Sequence, residues 1–540
     1  MEILRLLLNQ SEAGKTKLLF FSALAGITSV LLLAILNAAA EAAIQHDSKL
    51  ILVASFILVV AISVLAQKFV WRVTAQTAED IVHGIRSSIL RKVAGCSLEN
   101  LEKISRAEIV SALSQHAYGI SISAPPIIVA IQSLTMLAFS IAYLAYLSIL
   151  AFLVAAAAVV LLVLCALARS RTTNRYIDAS IASEHKAYTA LTELIDGFQE
   201  TKLNQKREAG LVAAGEKLSA EARANRVATN QVVANGVIST QTSLYFLLAA
   251  LVFVMPLFSM QDDPETVVKL VTVGLFIIGP ITGLVATLPM FTHAEASLGA
   301  IRRIEALLDR NQESINPAQE PAPFETLALQ EITFDYADTG GHGFNIGPLS
   351  FSVNANEVVF VTGGNGSGKT TMLRILLGLY TQKSGAVLVN GSPVTRDNLA
   401  THRALFATVL SDYHLFTQNY GLPPVDPERV KSLLQRMDLA SKTGFGDGQF
   451  DTLGLSTGQR KRLALIVAIL EDRPILVFDE WAADQDPGFR RIFYTEIIPE
   501  LRAAGKTVIA VTHDEKYFDC CDRHLHMIEG RISEIKPTGT

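Results

Sequence analysis

Apolar residues gather into runs of membrane-spanning length up to about residue 292, and the pattern then changes to short apolar strands and amphipathic helices. A bilayer core takes about 20 apolar residues per helix. By that measure six spans are expected, at about 18–40, 50–70, 125–146, 148–167, 237–260 and 266–291. The stretch 125–167 is nearly uncharged and roughly twice the needed length, so it reads as a hairpin turning near Leu147 and Ser148. The sixth span carries Pro280 and Pro289, which membrane helices tolerate. The first apolar run is longer than the h-region of a secretion signal, so it reads as a span rather than a leader.

The connections alternate in length and charge. Residues 71–124 carry Arg72, Arg86, Arg91, Lys92, Lys103 and Arg106, and residues 169–236 carry Arg169, Arg171, Arg175, Lys206 and Arg207. The opposite connections are short, and the one at Asp262, Asp263 and Glu265 is acidic. The positive-inside rule puts the long basic segments in the cytosol, and an even number of spans puts both termini there too. Ala78–Val93 has apolar residues near helical spacing, as does Ala187–Leu203, so the spans are expected to continue as helices beyond the bilayer. Lys269, near the outer end of the sixth span, is expected to snorkel.

Composition agrees with a chain partly dissolved in lipid. Hydrophobic residues make up 50% and charged ones 18% of the 540 residues, and the mean hydropathy is +0.35. A net charge of −5 gives no footprint for nucleic acid. Four cysteines in this length make no disulfide scaffold and read as unreactive thiols.

The second half carries the chemistry. Glu357–Thr362 reads as a buried strand, Gly363-Gly-Asn-Gly-Ser-Gly-Lys-Thr370 follows, and Thr371 leads into a helix. Strand, glycine-rich loop and helix together make a P-loop, whose backbone amides and helix N-terminus converge on phosphates. Gly363, Gly364, Asn365, Gly366, Ser367, Gly368, Lys369, Thr370 and Thr371 are the expected ATP contacts, with Lys369 at the β- and γ-phosphates and Thr370 on Mg²⁺. Ile475–Asp479 is a second buried strand, the Walker B pattern. Asp479 is expected to hold Mg²⁺, and Glu480 to orient the attacking water. Ser456 and Gln459 form a capping box ahead of an apolar helix. Alone that is an ordinary capped helix; about 20 residues ahead of Walker B, its free amides are a phosphate site.

This order of motifs resembles the ATP-binding cassette family: P-loop, an LSGGQ-like signature (here Leu455-Ser-Thr-Gly-Gln459), Walker B with its following glutamate, then a lone histidine after Thr507–Thr512. The resemblance covers the whole chain, because six spans followed by one cassette is the exporter half-transporter layout. It implies an all-α transmembrane domain of six helices (1–306), a linker (307–326) and an α/β P-loop nucleotide-binding domain (327–540). It implies that His513 is the switch histidine, Tyr336 the aromatic that stacks on adenine, and Asp486 the D-loop aspartate. It implies that Ser456, Thr457, Gly458 and Gln459 reach the ATP held by a partner cassette, so that a homodimer hydrolyses ATP. The sequence departs from the family pattern at Thr457, where glycine is usual, and at Ser411, which stands on the metal side where glutamine is usual.

Ser411-Asp412 with Leu415-Phe416, the helix continuing Arg-Lys-Arg-Leu-Ala-Leu, Asp479–Pro487 and Asp196–Asn204 are similar to the bacterial cyclic-peptide and siderophore-precursor exporter branch. That implies export of a peptide-type substrate across the bacterial inner membrane. A lipid or glycolipid flippase of the same architecture is the alternative, and a non-transporting ATP-gated regulator the second. In the remaining cassette segment, Asp426-Pro-Glu428 starts a helix whose apolar face is Val430, Leu433, Leu434 and Met437, with Gly444 expected to end it.

Overall fold

The computed structural model describes residues 15–44, 50–254, 264–310, 312–313, 321–335, 345–418, 420–422 and 424–535. It divides into two compact units, Met1–Arg91 with Arg106–Leu307, and Lys92–Ser105 with Leu308–Thr540.

The first unit is helical. It contains α1 (Lys15–Ile44) and α2 (Leu50–Ala94), of which the last turn passes into the second unit. Helix α3 (Leu98–Glu102) lies wholly in the second unit. The first unit resumes with α4 (Arg106–Ser111), a π-turn at Ala112–His116, α5 (Ala117–Leu147), α6 (Ile149–Asp196), α7 (Phe198–Lys202), α8 (Gln205–Ala249) with a π-turn at Ala250–Val254, and α9 (Pro264–Asp309). Five apolar stretches among the described residues are long enough to cross a membrane: Thr16–Ala42, Leu50–Ala94, Arg106–Leu147, Gln205–Val254 and Val268–Asp309. A shorter one, Ile149–Cys165, opens α6.

The turn expected at Ser148 is there. Ser148 leaves helical geometry (φ −159°, ψ 120°) and its hydroxyl accepts from the Ala151 amide at 3.4 Å, capping α6. Three expectations need adjusting. The third apolar helix begins well before Pro125 and runs through Pro125 and Pro126. The helix expected over Ala187–Leu203 breaks at Gly197 (φ −92°, ψ 25°) and restarts as α7. Lys269 does not merely snorkel: its ammonium pairs with Glu41 at 2.7 Å, joining α9 to α1. Leu33, Leu137, Leu144, Ala151, Leu244, Leu270 and Ile277 pack into one apolar cluster that ties α1, α5, α6, α8 and α9 together.

The second unit carries two sheets. Strands β1 (Thr326–Asp335), β2 (Asn345–Asn354), β4 (Ser384–Val389) and β5 (Ser392–Pro393) form an antiparallel sheet in the order β2-β1-β4-β5. Strands β3 (Val358–Gly363), β6 (Phe406–Val409), β9 (Ile475–Asp479), β10 (Thr507–Val511), β11 (Arg523–Ile528) and β12 (Arg531–Ile535) form the second, in the order β12-β11-β3-β10-β9-β6. Its pairings are parallel except β11 with β12. Its central strands read as continuous apolar runs because both faces are covered. Val358, Phe360, Leu476, Phe478 and Val508 point into one core, and Val359, Val361, Ile475, Val477 and Ile509 into the other.

Helices α10 (Lys369–Leu376), α11 (Leu399–Arg403), α12 (Pro427–Arg436), α13 (Thr457–Leu470), α14 (Pro487–Ile492) and α15 (Ile498–Ala503) complete the unit, with a small hairpin of β7 (Phe445–Gly446) and β8 (Gln449–Phe450). Asp426 caps α12 as expected, accepting from the Glu428 amide at 3.1 Å. Gly444 does not end that helix. It stops at Arg436, with buried Met437 as its C-cap, and the Gly444 amide instead donates to Asp451 at 3.0 Å. The four cysteines are free thiols, and burial pushes the Cys521 thiol up to about 11. Of the expected linker at 307–326, residues 311 and 314–320 lie outside the described residues.

Candidate nucleotide site

Strand β3 ends at Gly363 and α10 begins at Lys369, so the loop between them is held at both ends by buried elements. Gly368 sits at φ 102°, in the left-handed region that favours glycine, and a Cβ there would also press on the side-chain ends of Ile346 and Met527 at 2.9 Å. Lys369 is buried, and its ammonium donates to the carbonyls of Gly363 (2.9 Å) and Gly364 (3.0 Å), inside the curve of the loop. The Ser367 hydroxyl is buried without a hydrogen-bond partner among the described residues. A buried hydroxyl left in that state suits a loop whose partner is an external acceptor such as phosphate.

The metal side lies across β9. Thr370 Oγ1 donates to Asp479 Oδ2 at 3.3 Å. Burial pushes the Asp479 carboxyl above the usual carboxylate range and the neighbouring Glu480 adds to this, while hydrogen bonds from the Ser411 hydroxyl and amide and from Thr370 oppose it. Ser411 thus stands beside the carboxylate that Walker B supplies. A hard cation with oxygen ligands fits Thr370 and Asp479. Bound there, Mg²⁺ would neutralise phosphate charge.

Glu480 follows Asp479 in a left-handed conformation (φ 52°, ψ 37°), an uncommon one for glutamate and of the kind found at functional sites. Its amide donates to the Val511 carbonyl at 3.1 Å. Its carboxylate Oε1 lies 3.2 Å from His513 Nε2. His513 follows β10, and its neighbour Asp514 is held by Arg490 (3.1 Å) and Tyr494 (3.0 Å). Tyr494 also bonds to the Thr512 hydroxyl at 2.5 Å, and burial pushes its phenol up. The lone histidine therefore stands on a braced strand end, next to the glutamate that the motif order singled out.

The signature helix is built as its capping box requires. Ser456 Oγ accepts from the Gln459 amide at 3.4 Å, and Gln459 Oε1 accepts from the Ser456 amide at 3.0 Å. Thr457 is exposed and has no left-handed φ, so threonine is accommodated where the family has glycine. Gly458 has no such freedom. A Cβ there would lie 2.8 Å from the Asp484 carbonyl, and Gln485 Nε2 donates to the Gly458 carbonyl at 3.0 Å. Asp486 caps α14 through the amides of Gly488 (3.0 Å) and Phe489 (3.1 Å), and these bonds hold its carboxyl below the usual range.

The sequence reading missed Lys461. Its side chain is only 5% exposed, pairs with Asp484 at 2.7 Å and donates to the Glu480 carbonyl at 2.8 Å. Trp481 Nε1 donates to the Lys461 carbonyl at 2.8 Å. Signature helix and Walker B loop are therefore one braced assembly. A lysine among the apolar positions of α13 was the available signal.

The reading also missed Arg374 on α10. It bridges Glu102 of α3 (3.1 Å) and Asp412 (3.1 Å), the neighbour of Ser411, while Tyr380 donates to Glu102 at 2.5 Å. Tyr336 lies outside the described residues.

The comparisons with known proteins agree with this geometry. The model of the ABC transporter family matches residues 346–483, and that of the ABC transporter transmembrane region matches residues 16–283. The ATP-binding protein SyrD of Pseudomonas syringae pv. syringae is 30% identical over 475 residues, 84% of this chain and 83% of its own. An ATP-dependent lipid A-core flippase of Burkholderia orbicola is 29% identical over 304 residues, 53% of this chain and 49% of the flippase. The structure of a bacterial Atm1-family ABC exporter with ATP bound aligns with a TM-score of 0.78 at 17% identity, covering 96% of this chain and 93% of that one, and shows the shared fold. The chain belongs to the ABC transporter family, as an exporter-type half-transporter in which a transmembrane region and an ATP-hydrolysing cassette share one polypeptide.

Proposed function

We propose that two copies of this chain export a peptide-type amphipath across the bacterial inner membrane, with both termini in the cytosol. The observation that carries the ATPase half is the cluster of Thr370, Asp479, Glu480 and His513 around one strand end. Thr370 and Asp479 hold the metal, Glu480 takes up the proton of the attacking water, and His513 fixes the Glu480 carboxylate at 3.2 Å. Lys369 and the loop amides hold the phosphates. The exposed N-terminus of α13, with Ser456, is the face offered to a partner's ATP; a chain with one cassette completes its site by pairing. ATP binds the closed pair more tightly than the open one and so shifts that equilibrium.

The peptide assignment rests on the similarity of the 411–416, 455–465 and 479–487 segments to the peptide-exporter branch, and on the extent of the SyrD match, 84% of the chain. The lipid A-core flippase match, over 53%, supports the alternative. The discriminating experiment uses purified protein in proteoliposomes, with Glu480→Gln as the blank. ATP-dependent accumulation of labelled acylated or cyclic peptide, without movement of labelled lipid, is expected. Movement of lipid alone would put the flippase in its place, and neither movement would favour the regulator.

A further inference from the structure

Two cavities in the transmembrane unit share a wall. One, of about 290 Å³, has a mixed lining at the end of the apolar part of α6 and the adjoining turns of α8 and α9, in which Arg169, Asn174, Asn235 and Thr292 stand among apolar residues such as Val232 and Val237. The other, of about 340 Å³, is lined by apolar residues of α5, α6 and α9, including Leu134, Leu162, Leu284 and Phe291. Thr287 is its one polar side chain, and that hydroxyl is already bonded to the Leu284 carbonyl at 2.8 Å. Val285 and Leu288, on successive turns of α9, line both.

We propose that these cavities are the two halves of one substrate site, which takes the acyl chain of an amphipath in the apolar half and a peptide end bearing a single carboxylate in the polar half. This deepens the peptide-export reading and rests on it. Arg169 is the one cation in the lining, and it has no ion-pair partner among the described residues. A guanidinium without an acid partner, half-buried beside a cavity, is matched to a carboxylate. The remaining polar lining is amide and hydroxyl. The Thr173 and Thr292 hydroxyls already donate to the Arg169 and Leu288 carbonyls and keep only acceptor capacity, so the Asn174 and Asn235 side-chain amides supply the donors for a peptide's carbonyls. A head group with several phosphates would need more than one cation here, so the lining favours a peptide over a phosphorylated glycolipid. The apolar half offers no free polar group, so its occupant is hydrocarbon.

The test uses the full chain in phosphatidylcholine nanodiscs without nucleotide. The probes are a fluorescent N-dodecanoyl peptide with one C-terminal carboxylate, its C-terminal amide and its unacylated form. Anisotropy titrations should show the carboxylate bound roughly tenfold more tightly than the amide. Arg169→Gln should erase that preference and Arg169→Lys should restore part of it. Leu284→Trp, which fills the apolar half, should weaken the acylated probes roughly tenfold and leave the unacylated one unchanged. Unfolding midpoints serve as the check on folding, and the two substitutions report on separate halves.

A carboxylate preference that survives Arg169→Gln, or displacement of the peptide by equimolar phosphatidic acid, would overturn the assignment. Transport separates the two levels of the argument. Wild-type protein that binds as stated but moves no peptide would sink the export reading alone. Unchanged concentration dependence of transport in Arg169→Gln would sink the site alone.

Discussion

Removing the Lys461 ammonium should slow ATP hydrolysis without weakening ATP binding. Glu480 sits at φ 52°, a conformation that costs a non-glycine residue about 1–3 kcal/mol and persists only when its surroundings impose it. Three contacts do so: the Glu480 amide donates to the Val511 carbonyl at 3.1 Å, and the Glu480 carbonyl accepts from the Ala483 amide at 3.3 Å and from the Lys461 ammonium, the one charge-assisted bond of the three, at 2.8 Å. Lys461→Met keeps most of the buried stem volume and deletes the charge-assisted bond, worth about 1.5–3 kcal/mol. Asp484 is 46% exposed, so its charge stays solvated when its partner goes. The lost restraint is as large as the strain it opposes. The catalytic orientation of Glu480 should therefore fall in population, and kcat should drop by about 10-fold or more. Lys461 does not touch the P-loop hydrogen bonds, so KM for ATP should stay within about twofold. The assay is steady-state ATPase activity in nanodiscs against ATP concentration, with the unfolding midpoint as a control and Lys461→Arg as a partial rescue. A folded Lys461→Met protein with kcat within about twofold of wild type would refute the restraint argument.

Three further outcomes are expected. Gly458→Ala would put a Cβ 2.8 Å from the Asp484 carbonyl and should displace the signature turn, lowering ATPase activity, whereas Thr457→Gly, at an exposed position, should leave it nearly unchanged; activities of the two variants measured side by side check this. Burial lowers the His402 pKa to about 4 from 6.5, so the folded cassette disfavours the proton that the unfolded chain binds between those values. Stability from this group is present above pH 6.5 and lost as pH falls toward 4, by roughly 3 kcal/mol, and His402→Gln should flatten the pH dependence of the unfolding midpoint in that window. Glu102→Ala removes a partner of both Arg374 and Tyr380, and should lower the unfolding midpoint of the cassette while sparing ATP binding, read from thermal scans and nucleotide titrations of the purified protein.

Sequence spacing was most informative where the chemistry is local. The P-loop, the capping box of Ser456 and Gln459, the Asp426 cap and the break at Ser148 each depend on residues within a few positions of one another, and each folds as its pattern requires. Long-range pairs left no such trace. Lys461 meets Asp484, Glu102 meets Arg374 and Glu41 meets Lys269 only because tertiary packing brings distant segments together, and a charged residue on an apolar stretch shows that a partner exists without naming it. Ser411 could be placed on the metal side by aligning Val409–Phe416 on the family pattern, but its approach to Asp479 depends on the parallel pairing of β6 with β9. Gly444 failed as a stop signal because α12 had already ended at Met437, where the buried core closed the helix first. Gly197 interrupted a helix that periodicity alone would have carried to Leu203.

The central claim is that ATP is hydrolysed between two copies of the chain, and mixing two inactive variants tests it most directly. Lys369→Ala destroys the P-loop of its own copy, and Ser456→Arg destroys the signature face that it offers. Each alone should be inactive. Co-reconstituted as mixed dimers, Lys369 of one copy faces Ser456 of the other in one intact site. About a quarter of the wild-type ATPase rate should return, since random pairing makes half of the dimers mixed, each with one complete site of two. A mixture no more active than its separate components would contradict a site shared between copies.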